Sequence, residues 1–150
     1  FEGLASDFVN GSMRMGASDL RTKHLIASPR VTFNAAGNKA LLETNAIIIA
    51  ENVKLNLGCE SHNRFYDLAE KRDGDWKLFH RQSIYDMGTC TFPQGIVEID
   101  PATVAKYPRE YAALANLLEK SGFPLGREFA TRGSKLEADM KAAGQHWLSV

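Results

Sequence analysis

His24 is the side chain in this 150-residue sequence best suited to moving a proton. Imidazole titrates near neutrality, so it can donate and accept within one reaction cycle. The plain alternative is a helix-end histidine that bonds the last carbonyls and is favoured by the helix dipole. Asp86 is the second candidate, because a carboxylate in a dry pocket has its pKa raised and becomes a usable base. Its duller role is to cap the turn at Gly88 and Thr89 from a strand end. In the stretch around residue 65, period-two alternation puts Asn63, Phe65 and Asp67 on one face. His62, Arg64 and Tyr66 then occupy the other, which reads as a half-solvated face or a dimer surface. Further on, Lys77, Phe79, Arg81, Ser83 and Tyr85 alternate with Trp76, Leu78, His80, Gln82, Ile84 and Asp86, and Trp76 and Leu78 read as core. Arg81 and Tyr85 are strong donors, suited to a carbonyl or carboxylate, or else to pairing with Asp67 or Glu43 across a sheet. Asn45 and Asn52 offer neutral hydrogen bonds on opposite faces of their strand.

Composition narrows the chemistry. Lys plus Arg number 18 and Asp plus Glu number 18, so the net charge is zero. A nucleic-acid binder needs a surplus of cations to neutralise phosphates, and that class is excluded. No apolar run approaches the ~20 residues of a membrane span. Cys59 and Cys90 stand far apart, with no CxxC or Cys/His cluster, so neither a disulfide scaffold nor a zinc site is expected. Neither has a neighbouring base in sequence, and nucleophilic catalysis is not expected of them. Gly11 and Gly16 match no nucleotide-binding fingerprint. A cytoplasmic, cofactor-free protein is the expectation.

The elements that must position these groups follow from pattern. A helix is expected over residues 6–23, capped by Ser6 or Asp7 and closed by Ser28-Pro29. Strands are expected over 31–34, 39–57, 61–71 and 76–87, with a hairpin at Arg72-Asp73-Gly74-Asp75. Asp100-Pro101 reads as an N-cap with proline at the first helical position. Helices are expected over 108–121 and 134–147, with Tyr111, Leu114, Leu117 and Leu118 on one face of the first. Leu136, Met140, Ala143 and Trp147 make the apolar stripe of the second, and His146 near its end is expected at the surface.

The string Asn63-Arg64-Phe65-Tyr66-Asp67, the hairpin from Lys71 to Lys77, Arg81 with Asp86, and His24-Leu25-Ile26 resemble the SnoaL-like branch of the NTF2-like superfamily. The resemblance covers residues 1–92. It implies an α+β cone: a strongly curved, antiparallel-rich sheet wrapped on helices, with residues 93–150 as a helical extension packed on the same domain or on a dimer partner. It further implies that His24 stands where the scytalone dehydratases of this superfamily keep a catalytic histidine. The cavity side would be the face of Asn63, Phe65 and Asp67. The family's second histidine would fall near Ala50 or Asn52, and its acidic partner on an N-terminal helix. Only Phe1-Glu2-Gly3 precede the aligned segment, so the N-terminal helices are expected to be truncated, replaced or supplied by another chain. The expected function is cofactor-free proton transfer (dehydration, isomerisation or cyclisation) on a hydrophobic, oxygenated small molecule. Catalysis would fall to His24 and Asp86, and substrate binding to Asn52, Asn63, Phe65, Asp67, Arg81 and Tyr85. The alternative is a non-catalytic ligand-binding or dimerisation module. A homodimer is expected, paired through a sheet face bearing Ile47 and Ile49.

Overall fold

The computed structural model describes residues 4–150, and the lead at Phe1, Glu2 and Gly3 lies outside the described residues. Its elements are α1 (Ala5–Gly16), β1 (Leu20–Ile26), β2 (Arg30–Phe33), β3 (Lys39–Asn52), β4 (Leu57–Arg72), β5 (Asp75–Thr91), α2 (Pro101–Val104), α3 (Ala112–Lys120), β6 (Ala130–Thr131) and α4 (Lys135–Ser149). The sheet runs β1-β3-β4-β5-β6, with β2 sharing the β3 edge with β1, and only β6 pairs in parallel. This is an α+β fold with a curved, unclosed sheet, helices against it and a helix at the C-terminal end, the arrangement expected of an NTF2-like cone.

The long hairpins form where β-branched runs meet turn residues. Gly37, Asp73 and Gly74 all have positive φ, the left-handed geometry that Gly and Asp adopt with least strain. The helix expected over residues 6–23 stops at Gly16 instead. Ser18 Oγ donates to Met15 O at 2.6 Å and accepts from Leu20 N–H at 3.1 Å, which turns the chain. Residues 20–26 then pair antiparallel with residues 46–52 of β3. The reason is tertiary: β2 covers only residues 40–43 of β3, and the rest of that edge would otherwise expose unpaired backbone groups. His24 is therefore mid-strand, and the helix-end reading does not apply.

Register sorts the side chains into two faces, since residues directly opposite share one. Leu20, Ala50, Leu57, Cys59 and Tyr85 pack against Tyr111, Leu114 and Leu117 around α3. Leu41, Tyr66, Leu68 and Ile84 pack on the opposite side with Ala130 and Leu148, under α4. Residues 93–150 thus cover both faces of the chain's own sheet. Asp100 caps α2 by accepting from Ala102 N–H, as expected, and Ser134 caps α4 by accepting from Glu137 N–H.

Two register shifts bend β5 against β4. Leu68 opposes His80 while Ala69 opposes Leu78, and His62 opposes Met87 while Asn63 opposes Tyr85. Phe79 and Asp86 are the extra residues, so simple alternation along this strand fails twice. Trp76 and Leu78, expected in the core, are 42% and 54% exposed. Conversely, Tyr66, expected on a half-solvated face, is buried beneath α4.

Gly144 sets how closely α4 approaches the sheet. A Cβ there would stand 2.5 Å from the Tyr66 hydroxyl oxygen and 2.7 Å from its ring. Replacing a helical glycine by alanine ordinarily stabilises by up to ~1 kcal/mol. Gly144→Ala is expected to destabilise by about 1–3 kcal/mol instead, because the buried Tyr66 ring or α4 itself would have to shift to admit the methyl group. Urea unfolding with an unchanged m-value measures it.

Candidate functional site

The α3 face carries most of the residues singled out from sequence. His24 opposes Ile48, which opposes Ser61, so His24 and Ser61 lie in one cross-strand row. Two strand spacings separate them, roughly 10 Å. In the next row Ile26 opposes Ala46, Ala46 opposes Asn63, and Asn63 opposes Tyr85. Thr44 with Phe65, and Leu42 with Asp67, continue the same face. His24 is exposed, and no hydrogen bond or ion pair to it occurs among the described residues.

Three buried polar side chains on this face lack partners. The Ser61 hydroxyl and both amide atoms of Asn63 and Asn116 are shielded and form no hydrogen bond among the described residues. Leaving such a group unpaired costs about 1–3 kcal/mol; Ser61 and Asn63 are two apart on β4, and Asn116 is on α3. Asn63 was expected; Ser61 and Asn116 were not. The available signal for Asn116 was a single amide inside the apolar run from Ala112 to Leu117, every residue of which is buried. For Ser61 it was parity with Asn63.

The remaining candidates have other occupations. Arg81 donates through Nε and Nη2 to Asp67, both at 2.8 Å, and its guanidinium lies 4.4 Å from the centre of the Phe65 ring. That pair is internally neutralised, and the hydrogen bond to Asp67 holds the Arg81 pKa above its ordinary value. Asn52 accepts from Lys54 and Leu55 N–H and donates to Ser121 Oγ at 3.0 Å, tying the loop after β3 to the end of α3. Tyr85 packs against the Tyr111 and Phe129 rings. Burial raises its phenol pKa against a hydrogen bond with Ser83 that lowers it, so it stays protonated at neutral pH. Away from α3 the same face is an exposed apolar strip that includes Ile26, Phe33, Trp76 and Leu78. Cys59 and Cys90 are free thiols opposite one another; burial, with Cys90 nearby, pushes the Cys59 thiol up to about 12. That leaves Cys59 a packing residue.

Asp86 does not join this group. Two residues on from Ile84, its side chain lies on the α4 face, where its two oxygens accept three hydrogen bonds of 2.7–3.2 Å from Arg64. His24 and Asp86 therefore stand on opposite sides of the sheet. Arg64 also donates at 2.8 Å to Glu43 and at 2.8 Å to Glu137. Burial works against the Glu137 carboxylate, but hydrogen bonds from Lys141, Gly133 N–H and Arg64 outweigh it and lower the pKa to about 2. Burial likewise opposes Glu43, whose pKa is nevertheless lowered by Arg64 and Lys141. Among the described residues no group of three or more His, Cys, Asp or Glu is arranged to hold a metal ion. Nor is any helix long and apolar enough to cross a membrane.

No family model and no curated protein sequence matches the chain. Among solved structures it is similar to a crystal structure of a candidate scytalone dehydratase from Novosphingobium aromaticivorans. The two share 20% sequence identity, over 65% of this chain and 69% of that one, with a TM-score of 0.49.

The Arg64 cluster gives stability a defined acid limb. The Glu43 and Glu137 pKa values are lowered in the folded state, so their contribution is whole above the ordinary carboxylate value of 4.5. It is lost as pH falls from there through about 2, where Glu137 protonates. The melting temperature should fall steeply across that window. Arg64→Met should lose stability at pH 7 by roughly 3 kcal/mol, since it strands the Asp86 carboxylate and leaves Glu43 and Glu137 with Lys141 as their cation, and should flatten the acid limb.

Proposed function

We propose that the α3 face binds a neutral, hydrophobic, oxygenated small molecule, and that His24 performs cofactor-free proton transfer on it: dehydration, isomerisation or cyclisation. The observation that carries this reading is the unpartnered set Ser61, Asn63 and Asn116. Small-molecule sites combine apolar walls with a few fixed polar groups, and these three are fixed by a strand and a helix within an apolar interface. Their hydrogen bonds are neutral and the charged pair on that face, Asp67 with Arg81, is already closed. An uncharged carbonyl or hydroxyl compound fits better than a carboxylate. His24, in the row of Ser61, is the titratable group nearest that cluster by register that is free to exchange protons with solvent. Protonated Tyr85, directly opposite Asn63, is a candidate donor to a carbonyl oxygen.

A second reading is favoured by one observation: His24 is exposed and no carboxylate is hydrogen-bonded to it among the described residues. A non-catalytic ligand-binding module would need the polar set but not the imidazole. A panel of β-hydroxy ketones and α,β-unsaturated ketones separates the two. His24→Ala is expected to abolish turnover at an unchanged melting temperature, whereas Asn63→Leu is expected to weaken binding tenfold or more. Binding by the wild type without turnover would assign the module.

A homodimer is part of this proposal. On the α4 face beyond α4 itself, Ile49 and Met87 are 39% and 59% exposed, and Ile47 is half-buried beside them. Sedimentation should give a dimer that Ile49→Lys converts to a monomer.

A further inference from the structure

The apolar stripe of α4 does not go where its helical spacing directs it. Glu137, Gly144 and Leu148 are the buried positions of this helix, and they form the seam that meets the sheet. Leu136, Met140, Ala143 and Trp147 lie beside that seam and face a cleft of about 580 Å³. Leu68, His80 and Gln82 form its floor, and Phe129 is on the opposite wall. Leu136 remains 43% exposed. Phe79, thrown out by the first bulge, is 53% exposed, and its ring is stacked on Trp147 at 6.0 Å and 12°.

We infer that this cleft is a second ligand site, on the opposite side of the sheet from Ser61 and Asn63, for a small, flat, neutral aromatic molecule carrying one hydrogen-bonding group. Its volume lies within the roughly 300–1,000 Å³ usual for small-molecule sites. Its walls are rigid: α4 is pinned at one end by Glu137 on Arg64 and further along by the close approach of Gly144 to Tyr66. The faces of the Trp147 ring are taken by Phe79 and Lys39, and the Phe129 ring carries Arg127, so both line the cleft as apolar walls suited to edge-to-face contact with an aromatic ligand. Gln82 and His80 alternate on the α4 face of β5, about 7 Å apart, and supply hydrogen-bonding groups on the floor. Arg127, Glu128 and Asp139 at the lining carry mixed signs, which gives a charged ligand no advantage. The mouth is lined by apolar side chains left partly in water, Leu136 among them, and a bound ring would cover them.

The chain has two tryptophans, so Trp76→Phe leaves Trp147 as the sole reporter. Titration of that variant with 2-naphthol should give saturable emission changes with a Kd of about 0.1 mM, the affinity expected of a ligand of this size. Ala143→Phe, which fills the cleft, should weaken binding at least tenfold, while Ser61→Ala and Asn63→Leu should leave it unchanged. Gln82→Leu should abolish the preference for 2-naphthol over naphthalene, and it serves as the test if Ala143→Phe does not fold. Absence of saturable binding would overturn the assignment, as would indifference to both cleft variants or loss only with Ser61 or Asn63. A change of oligomeric state in Ala143→Phe without an effect on 2-naphthol would make the cleft a protein interface instead.

Discussion

The Arg64 guanidinium accepts company from three elements besides its own strand: Glu43 on β3, Asp86 on β5 and Glu137 on α4. Much of the molecule is arranged around that requirement. A half-buried cation among carboxylates is not a strong source of net stability, because desolvation offsets most of the attraction. What it supplies is uniqueness of arrangement. Each carboxylate must be at hydrogen-bond distance at the same time, and that fixes the second bulge in β5, the height of α4 above the sheet and the direction of the loop at Gly133. Lys141 adds a second cation one helical turn from Glu137, at 2.9 Å, so the cluster holds two cations and three carboxylates.

With its charges gathered on one side, the sheet has two chemically different faces. The α4 face is ionic at its centre and aromatic at its edge. The α3 face is apolar, interrupted by neutral amides and a hydroxyl, and its charged pair is closed on itself. Neutral groups held in an apolar interface favour a ligand that loses little hydration on entering, whereas charged groups would demand a matching charge. The proposed chemistry is therefore tied to the face from which the free carboxylates are absent.

Much of the fold was legible from local pattern. The Asp73-Gly74 hairpin and the Asp100 cap appear where turn chemistry places them, and the strands from Arg30 onward appear in the expected order, although the one expected over 39–57 ends at Asn52 and the next begins at Leu57. Pattern failed where a distant partner decided. Residues 20–26 carry a sequence compatible with a helix, and the unpaired edge of β3 makes them a strand. In β5, alternation grouped Asp86 with His80, Gln82 and Ile84, and the structure has these four on the α4 face; Trp76 and Leu78, before the first bulge, take the other face and stay exposed there. The burial of Asn63 on one face with Phe65 and Asp67 was legible because its strand alternates regularly. Asn116 was not, since its meaning depends on α3 lying flat on the sheet, which no spacing within the helix reveals.

The bulge at Asp86 also links two features through inheritance. Deleting that one residue would restore regular pairing between β4 and β5, a change that costs the backbone little. It would also remove the carboxylate that grips Arg64 with three hydrogen bonds. Loss of the bulge is thus tolerable only together with a changed residue 64 and a refitted α4. Related chains should therefore vary at these three places in concert, and a chain with arginine at 64 should keep the additional residue in its fifth strand.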